Sequence, residues 1–117
     1  MKKIADRILA GFESSSGKTP EFKQFVSSFK KSFKKILSKL DAKDIKFSVG
    51  HFTITGFFTV NEQAYYFSLS DVRNVYGGKP QLLVRTATDY KDYSGGSNMY
   101  VSLDEDTLNS LQRTLRL

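Results

Sequence analysis

Between residues 20 and 40 the sequence reads PEFKQFVSSFKKSFKKILSKL. At about 100° per residue its apolar side chains fall within an arc of roughly 120°, which is the buried stripe of an amphipathic helix. Thr19 as N-cap and Pro20 as first helical residue predict where this helix begins. The stripe consists of Phe22, Phe25, Val26, Phe29, Phe33, Ile36, Leu37 and Leu40.

The segments on either side of this helix predict the remaining elements. Residues 1–13 predict a short helix, which is followed by small polar residues and whose apolar side carries Ile4, Ile8, Leu9 and Phe12. From residue 45 onward the period of the apolar pattern changes to two, which is typical of strands. Residues 45–103 therefore predict an antiparallel sheet, with a hairpin turn at Asn61-Glu62.

Two local features complete the predicted order of elements. Gly50-His51 interrupts the first strand pattern, either as a bulge or as a tight turn between two strands. Ser102 and Glu105 have the spacing of a capping box, and residues 104–116 predict a closing helix with Leu108, Leu111 and Leu115 on its apolar side. The fold class is therefore α+β, with N-terminal helices and a C-terminal helix packed on one antiparallel sheet of four to five strands.

The composition limits the kinds of function. The 117 residues fit a single domain, 1–117. The chain has no cysteine and one histidine, which excludes disulfide scaffolds, thiolate zinc sites and cysteine nucleophiles, and we expect no metal and no cofactor. There is no apolar run of the roughly 18 residues that span a bilayer, and no signal-like apolar segment, so we expect a cytoplasmic protein with no membrane contact.

The positive charge lies almost entirely on the N-terminal side of the chain. The formal net charge is +6, of which residues 1–46 contribute +7 and residues 47–117 contribute −1. No acidic residue lies between Glu21 and Asp41. Each pair of lysines four residues apart weakens a helix by about 0.2–0.5 kcal/mol, so this arrangement has a cost in helix stability. We interpret this lysine face as a candidate surface for an anionic partner, the alternative being a solvated face. It consists of Lys23, Lys30, Lys31, Lys34, Lys35 and Lys39.

A polar segment from Thr88 to Asn98 is the second candidate binding feature. It is rich in Tyr, Ser, Gly and Asn, the residue types that form adaptable recognition loops, and its contact candidates are Tyr90, Lys91 and Tyr93. It is also longer than the roughly 2–5 residues of an ordinary hairpin loop. The alternative is a surface loop whose tyrosines pack back on the sheet.

Catalytic patterns are incomplete. Gly11 to Thr19 resembles a P-loop but has five residues between its two glycines, where the motif requires four. Asp71 with Asp89 and Lys91 resembles the PD-(D/E)xK nuclease pattern, but no proline precedes Asp71. His51 has no adjacent acid–base partner. We predict that the protein is not an enzyme and keep a small Mg²⁺-dependent nuclease as an alternative.

In general character this short, cysteine-free α+β chain with a polar loop resembles the small single-domain proteins of phages and other mobile elements, including anti-CRISPR-type inhibitors. No functional residues are carried over from that group. The resemblance implies a non-enzymatic protein that binds and inhibits a host nucleoprotein complex. The partner would be that complex or its nucleic acid, and the first alternative is direct, non-specific nucleic-acid binding without a protein partner.

Overall fold

The computed structural model describes residues 1–12, 20–70, 72, 80–89 and 96–117. Within these ranges the chain forms three helices packed on one antiparallel sheet, in the strand order β1-β2-β3-β4-β5, which confirms the α+β prediction with five strands. The elements are α1 (Lys2–Ala10), α2 (Pro20–Ser38), β1 (Lys43–Val49), β2 (Ile54–Val60), β3 (Gln63–Leu69), β4 (Gln81–Ala87), β5 (Met99–Ser102) and α3 (Thr107–Leu115).

The apolar stripe of α2 packs on the sheet and fixes the core. Phe29 and Phe33 are fully buried, and the ring of Phe33 lies 4.9 Å from that of Phe67 on β3 and 6.1 Å from that of Phe58 on β2. Phe25 is also buried, whereas Ile36 is half-buried at the edge of the stripe. Because aromatic rings stack along the whole length of α2, the position of this helix over the sheet is set by bulky side chains at close contact.

The link between β1 and β2 is a tight turn, not a bulge. The N–H of Gly50 donates to the carbonyl of Thr53 at 2.9 Å, and Phe52 takes a left-handed φ of 58°. This conformation is unfavourable for a bulky residue, but it places the Phe52 ring in the core, 4.9 Å from Phe22. β1 and β2 are therefore separate strands, which gives the sheet five strands. β1 begins at Lys43 rather than at residue 45.

The β2–β3 hairpin confirms the predicted turn at Asn61-Glu62. Both residues have positive φ, 50° and 68°, which is the conformation of a two-residue type I′ loop. The pairing continues from Val60↔Gln63 to Ile54↔Leu69 without a register shift. Paired residues of β2 and β3 therefore lie on the same face of the sheet along both strands.

Both N-terminal helices end earlier than predicted. α1 ends at Ala10 because Gly11, with φ 82°, terminates it, and Leu9 is 53% exposed rather than on the buried side. α2 ends at Ser38, where the N–H of Ala42 donates to the carbonyl of Leu37 and Asp41 takes φ 54°. In this Schellman ending Asp41 is the left-handed C′ residue, and residues 39 and 40 complete the last turn before it.

The capping box predicted at Ser102 and Glu105 is wrong. Ser102 belongs to β5, where it pairs with Gln81, so it cannot also cap a helix, and α3 begins at Thr107. The hydroxyl of Thr107 donates to the carbonyl of Ser102 and joins the end of β5 to the helix. The first turn is also stabilised by the side chain of Asn109, whose hydrogen bond to Asp106 holds the pKa of that carboxyl below its ordinary value.

Candidate functional site

The lysine face of α2 lies on the side of the helix turned away from the sheet core. Lys30 is half-buried, and the other five lysines are exposed. At about 100° per residue the six side chains form two groups, whose mean directions are about 120° apart around the helix axis. We call Lys23, Lys30 and Lys34 the β1 flank, and Lys31, Lys35 and Lys39 the α1/α3 flank.

The six lysines of this face have no acidic partner in the described chain, unlike Lys2, Arg7 and Arg113. Lys2 pairs with Asp6 at 3.3 Å, Arg7 pairs with Glu21, and Arg113 pairs with Asp106 at 3.4 Å. Among the residues that the structure describes, the ammonium groups of the six lysines form no ion pair and no hydrogen bond. The positive charge of this face is therefore not neutralised locally, which favours binding of an external anion.

The β1 flank is organised around one aromatic ring. The Nζ atoms of Lys30 and Lys34 each lie 5.7 Å from the ring centroid of Phe47 on β1. Phe47 is half-buried and is held in edge contact with Phe29 at 6.4 Å and Phe67 at 5.6 Å. An exposed cation–π contact stabilises by about 0.5–1 kcal/mol, which opposes the repulsion between the two ammonium groups.

The α1/α3 flank has acidic residues nearby. Lys31 lines a groove of about 480 Å³ between α1 and α2 that also contains Lys3 and the Arg7–Glu21 ion pair. Lys35 and Lys39 line a groove of about 390 Å³ whose other side carries Asp104 and Glu105. These last two carboxylates lower the positive potential around Lys35 and Lys39.

The predicted recognition loop is described only at its ends. Tyr90, Lys91 and Tyr93 lie outside the described residues. Asp89 and Gly96, which flank them, line a cavity of about 950 Å³ together with Phe57, Thr59 and Ala64. Because Phe57 and Thr59 alternate along β2 with the core residues Phe58 and Val60, this cavity lies on the sheet face opposite α2. The lysine face and the ends of the loop are therefore on opposite sides of the sheet.

Sequence reasoning missed a transverse row of side chains on this second face. Strand register aligns Lys46, Phe57, Tyr66 and Arg85 across β1 to β4. The rings of Phe57 and Tyr66 are 5.4 Å apart, and the Arg85 guanidinium lies 5.4 Å from the Tyr66 ring and donates to Asn98 at 2.7 Å. Phe57 is only 5% exposed, so the row is packed as a second small cluster. In the sequence, the residues of this row occupy the strand positions that alternate with the core residues.

Of the nuclease-like set Asp71, Asp89 and Lys91, the structure describes only Asp89. Asp71 and Lys91 lie outside the described residues, and Asp89 is exposed. Within the described ranges no three His, Asp or Glu side chains are grouped so that they could hold a metal ion. Gly11 of the P-loop-like stretch ends α1, and residues 13–19 are outside the description. The ring of His51 contacts Phe52 at 5.0 Å.

None of the described helices is long and apolar enough to cross a membrane. No protein-family model, no curated protein and no solved structure matches this chain.

Proposed function

We propose that this protein is a non-enzymatic binding protein that engages the nucleic acid of a host nucleoprotein complex through the lysine face of α2. The observation that carries the proposal is the set of six lysines on one helix face, exposed or half-buried, with no acidic partner in the described chain. Selection of an unpaired lysine face has a cost in helix stability, which a polyanionic partner offsets on binding.

The dimensions of the face fit a phosphate backbone. From Lys23 to Lys35 α2 extends over about 18 Å, and Lys39 directly follows its last residue, Ser38. Duplex DNA carries one negative charge per about 1.7 Å of its axis. Several ammonium groups can therefore contact phosphates at the same time. Lysine is a flexible point charge without the planar fork with which arginine reads guanine, so the contact is independent of base sequence.

The general resemblance to anti-CRISPR-type inhibitors supplies the biological setting of the proposal. A mobile-element protein acting in the cytoplasm would bind the complex where its nucleic acid is exposed and block the nucleic-acid step. Direct nucleic-acid binding without a protein partner uses the same lysine face. Capture from host lysate, with and without nuclease treatment, distinguishes the two proposals. Capture of the complex that survives nuclease treatment requires a protein partner.

The proposal is tested by fluorescence anisotropy with a labelled 20-base-pair duplex. In one variant Lys30, Lys31, Lys34 and Lys35 are changed to Gln. In the matched control Lys2, Lys3, Arg113 and Arg116 are changed to Gln, so that both formal net charges fall from +6 to +2. We expect the first variant to lose most binding and the control to keep most of it. Equal binding by the two variants, or no binding by the wild type, would contradict the proposal.

A further inference from the structure

The β1 flank of α2 differs from the other flank by one convergent feature. Two ammonium groups, those of Lys30 and Lys34, lie at the same distance, 5.7 Å, from the ring of Phe47. They lie one helical turn apart, about 6 Å along the axis. We call these three residues the α2–β1 cluster.

The ring of Phe47 limits the conformations of both lysines. A lysine side chain on a helix surface loses much of its rotamer entropy when it is fixed in one conformation. Attraction to the face of one ring restricts the two side chains before any ligand arrives. Preorganised groups bind more tightly because less entropy is lost on binding. The ring itself is fixed by Phe29 and Phe67, so the cluster is anchored to the core.

Neither ammonium group of the cluster is neutralised by the described chain. The Nζ atoms of Lys30 and Lys34 form no ion pair or hydrogen bond there. On the α1/α3 flank, in contrast, Lys35 and Lys39 line a groove that also contains Asp104 and Glu105. The two flanks carry equal numbers of lysines, and these carboxylates lower the positive potential at two lysines of the α1/α3 flank.

We infer that the α2–β1 cluster is the phosphate-binding position of the protein and that a phosphodiester backbone passes along the β1 side of α2. This inference rests on the proposed function and identifies which part of the lysine face performs it. Phosphates of one duplex strand are separated by about 3.4 Å along the axis, so lysines about 6 Å apart reach phosphates within two nucleotide steps. Each ammonium group then neutralises one phosphate.

Two double variants of α2 provide a matched test. Lys30→Gln with Lys34→Gln removes the cluster, and Lys31→Gln with Lys35→Gln removes the same charge from the other flank. Both lower the formal net charge from +6 to +4. The first removes one pair of lysines four residues apart, Lys30/Lys34, and the second removes two, Lys31/Lys35 and Lys35/Lys39. Binding to the 20-base-pair duplex is measured by anisotropy over a series of KCl concentrations, and log K is plotted against log[KCl].

Loss of two phosphate contacts makes the slope shallower by about 1.8, because each contact contributes about 0.9 on duplex DNA. We expect this change for Lys30→Gln/Lys34→Gln and a slope close to that of the wild type for Lys31→Gln/Lys35→Gln. Equal changes in both variants, or a larger change in the second, would overturn the inference and leave the proposed function intact. No change in either variant or in the fourfold Gln variant would overturn both.

The ring is tested separately with Phe47→Leu, which keeps an apolar side chain and removes the aromatic face. Circular dichroism and a thermal melt establish that the variant is folded. We expect its affinity for the duplex to fall about two- to fivefold, which corresponds to the loss of one exposed cation–π contact. Wild-type affinity in the folded variant would show that Phe47 does not organise the phosphate-binding position.

Discussion

Gly56 on β2 provides a sharp test of how the first three strands pack. It faces the core between its cross-strand neighbours Phe47 on β1 and Phe67 on β3, whose rings lie 5.6 Å apart. A methyl group at Gly56 would overlap the backbone carbonyl oxygen of Lys46 and lie 2.6 Å from Cζ of Phe67. The absence of a side chain therefore allows β1 and the two rings to approach.

The change Gly56→Ala should destabilise the fold by about 3 kcal/mol, the upper part of the range for an overpacked core. The carbonyl belongs to the backbone of a paired strand, so relief of the overlap requires β1 to move away from β2. In a domain of this size the loss corresponds to a melting temperature lower by about 10–15 °C. The melting temperature is measured by circular dichroism or calorimetry.

Gly50→Ala is the matched control. Its methyl group would meet only the hydroxyl of Thr53, at 2.6 Å, which a side-chain rotation can relieve. We expect a loss of at most about 1 kcal/mol there. Where a glycine has no packing role, replacement by alanine stabilises by about 0.4–1 kcal/mol through the unfolded state. A Gly56→Ala protein that melts at or above the wild-type temperature would refute the described packing of β1 on β2.

Three further predictions concern the core, the pH dependence and catalysis. Phe29→Ala should cost about 3–5 kcal/mol in a denaturant titration, and a loss below about 1 kcal/mol would show that the α2 stripe is not buried. Because the pKa of Asp106 is lowered in the folded state, its charge stabilises the fold above the unfolded-state pKa of about 3.9, and this contribution is lost as pH falls through the folded pKa. The melting-temperature difference between the wild type and Asp106→Asn should therefore narrow between about pH 5 and pH 2, and a constant difference would contradict this. The purified protein should leave plasmid, single-stranded DNA and RNA intact with Mg²⁺ or Mn²⁺, whereas cleavage that is lost in Asp89→Ala and Lys91→Ala variants would favour the nuclease alternative.

The elements were predictable where one local pattern determines them. The eight apolar residues between Phe22 and Leu40 define a helix face by spacing alone, and seven strand residues on each side of Asn61-Glu62 define a hairpin. The choice between a bulge and a turn at Gly50-His51 was not predictable from local pattern. It depends on the burial of Phe52 against Phe22, which is a contact between distant parts of the chain.

The helix ends illustrate a second limit. Ser102 and Glu105 have the spacing of a capping box, but pairing of Ser102 with Gln81 across β4 and β5 places Ser102 in a strand. Leu9 fits the apolar residues of α1 by type, yet it lies outside their arc and is exposed. For Ser102 a tertiary contact decided between two local alternatives, whereas the exposure of Leu9 follows from helical spacing.

The lysine face was predictable from sequence, whereas its division into two flanks was not. Helical spacing gives the direction of each lysine about the α2 axis, but not the neighbouring elements. The direction in which α2 crosses the sheet determines that Lys30 and Lys34 meet Phe47 and that Lys35 and Lys39 face α3. In the sequence, Phe47 is recognisable only as one apolar residue of an alternating strand pattern, which does not predict its contact with the two lysines.

Backbone amide chemical shifts measured during titration of the labelled protein with a 20-base-pair duplex test the central proposal most directly. We expect the largest shifts along the β1 side of α2, around Lys30 and Lys34, and at Phe47, and we expect them to diminish as KCl is raised. Shifts confined to Ala64, Tyr66 and Arg85 on the opposite sheet face, or no shifts at low salt, would contradict the proposal.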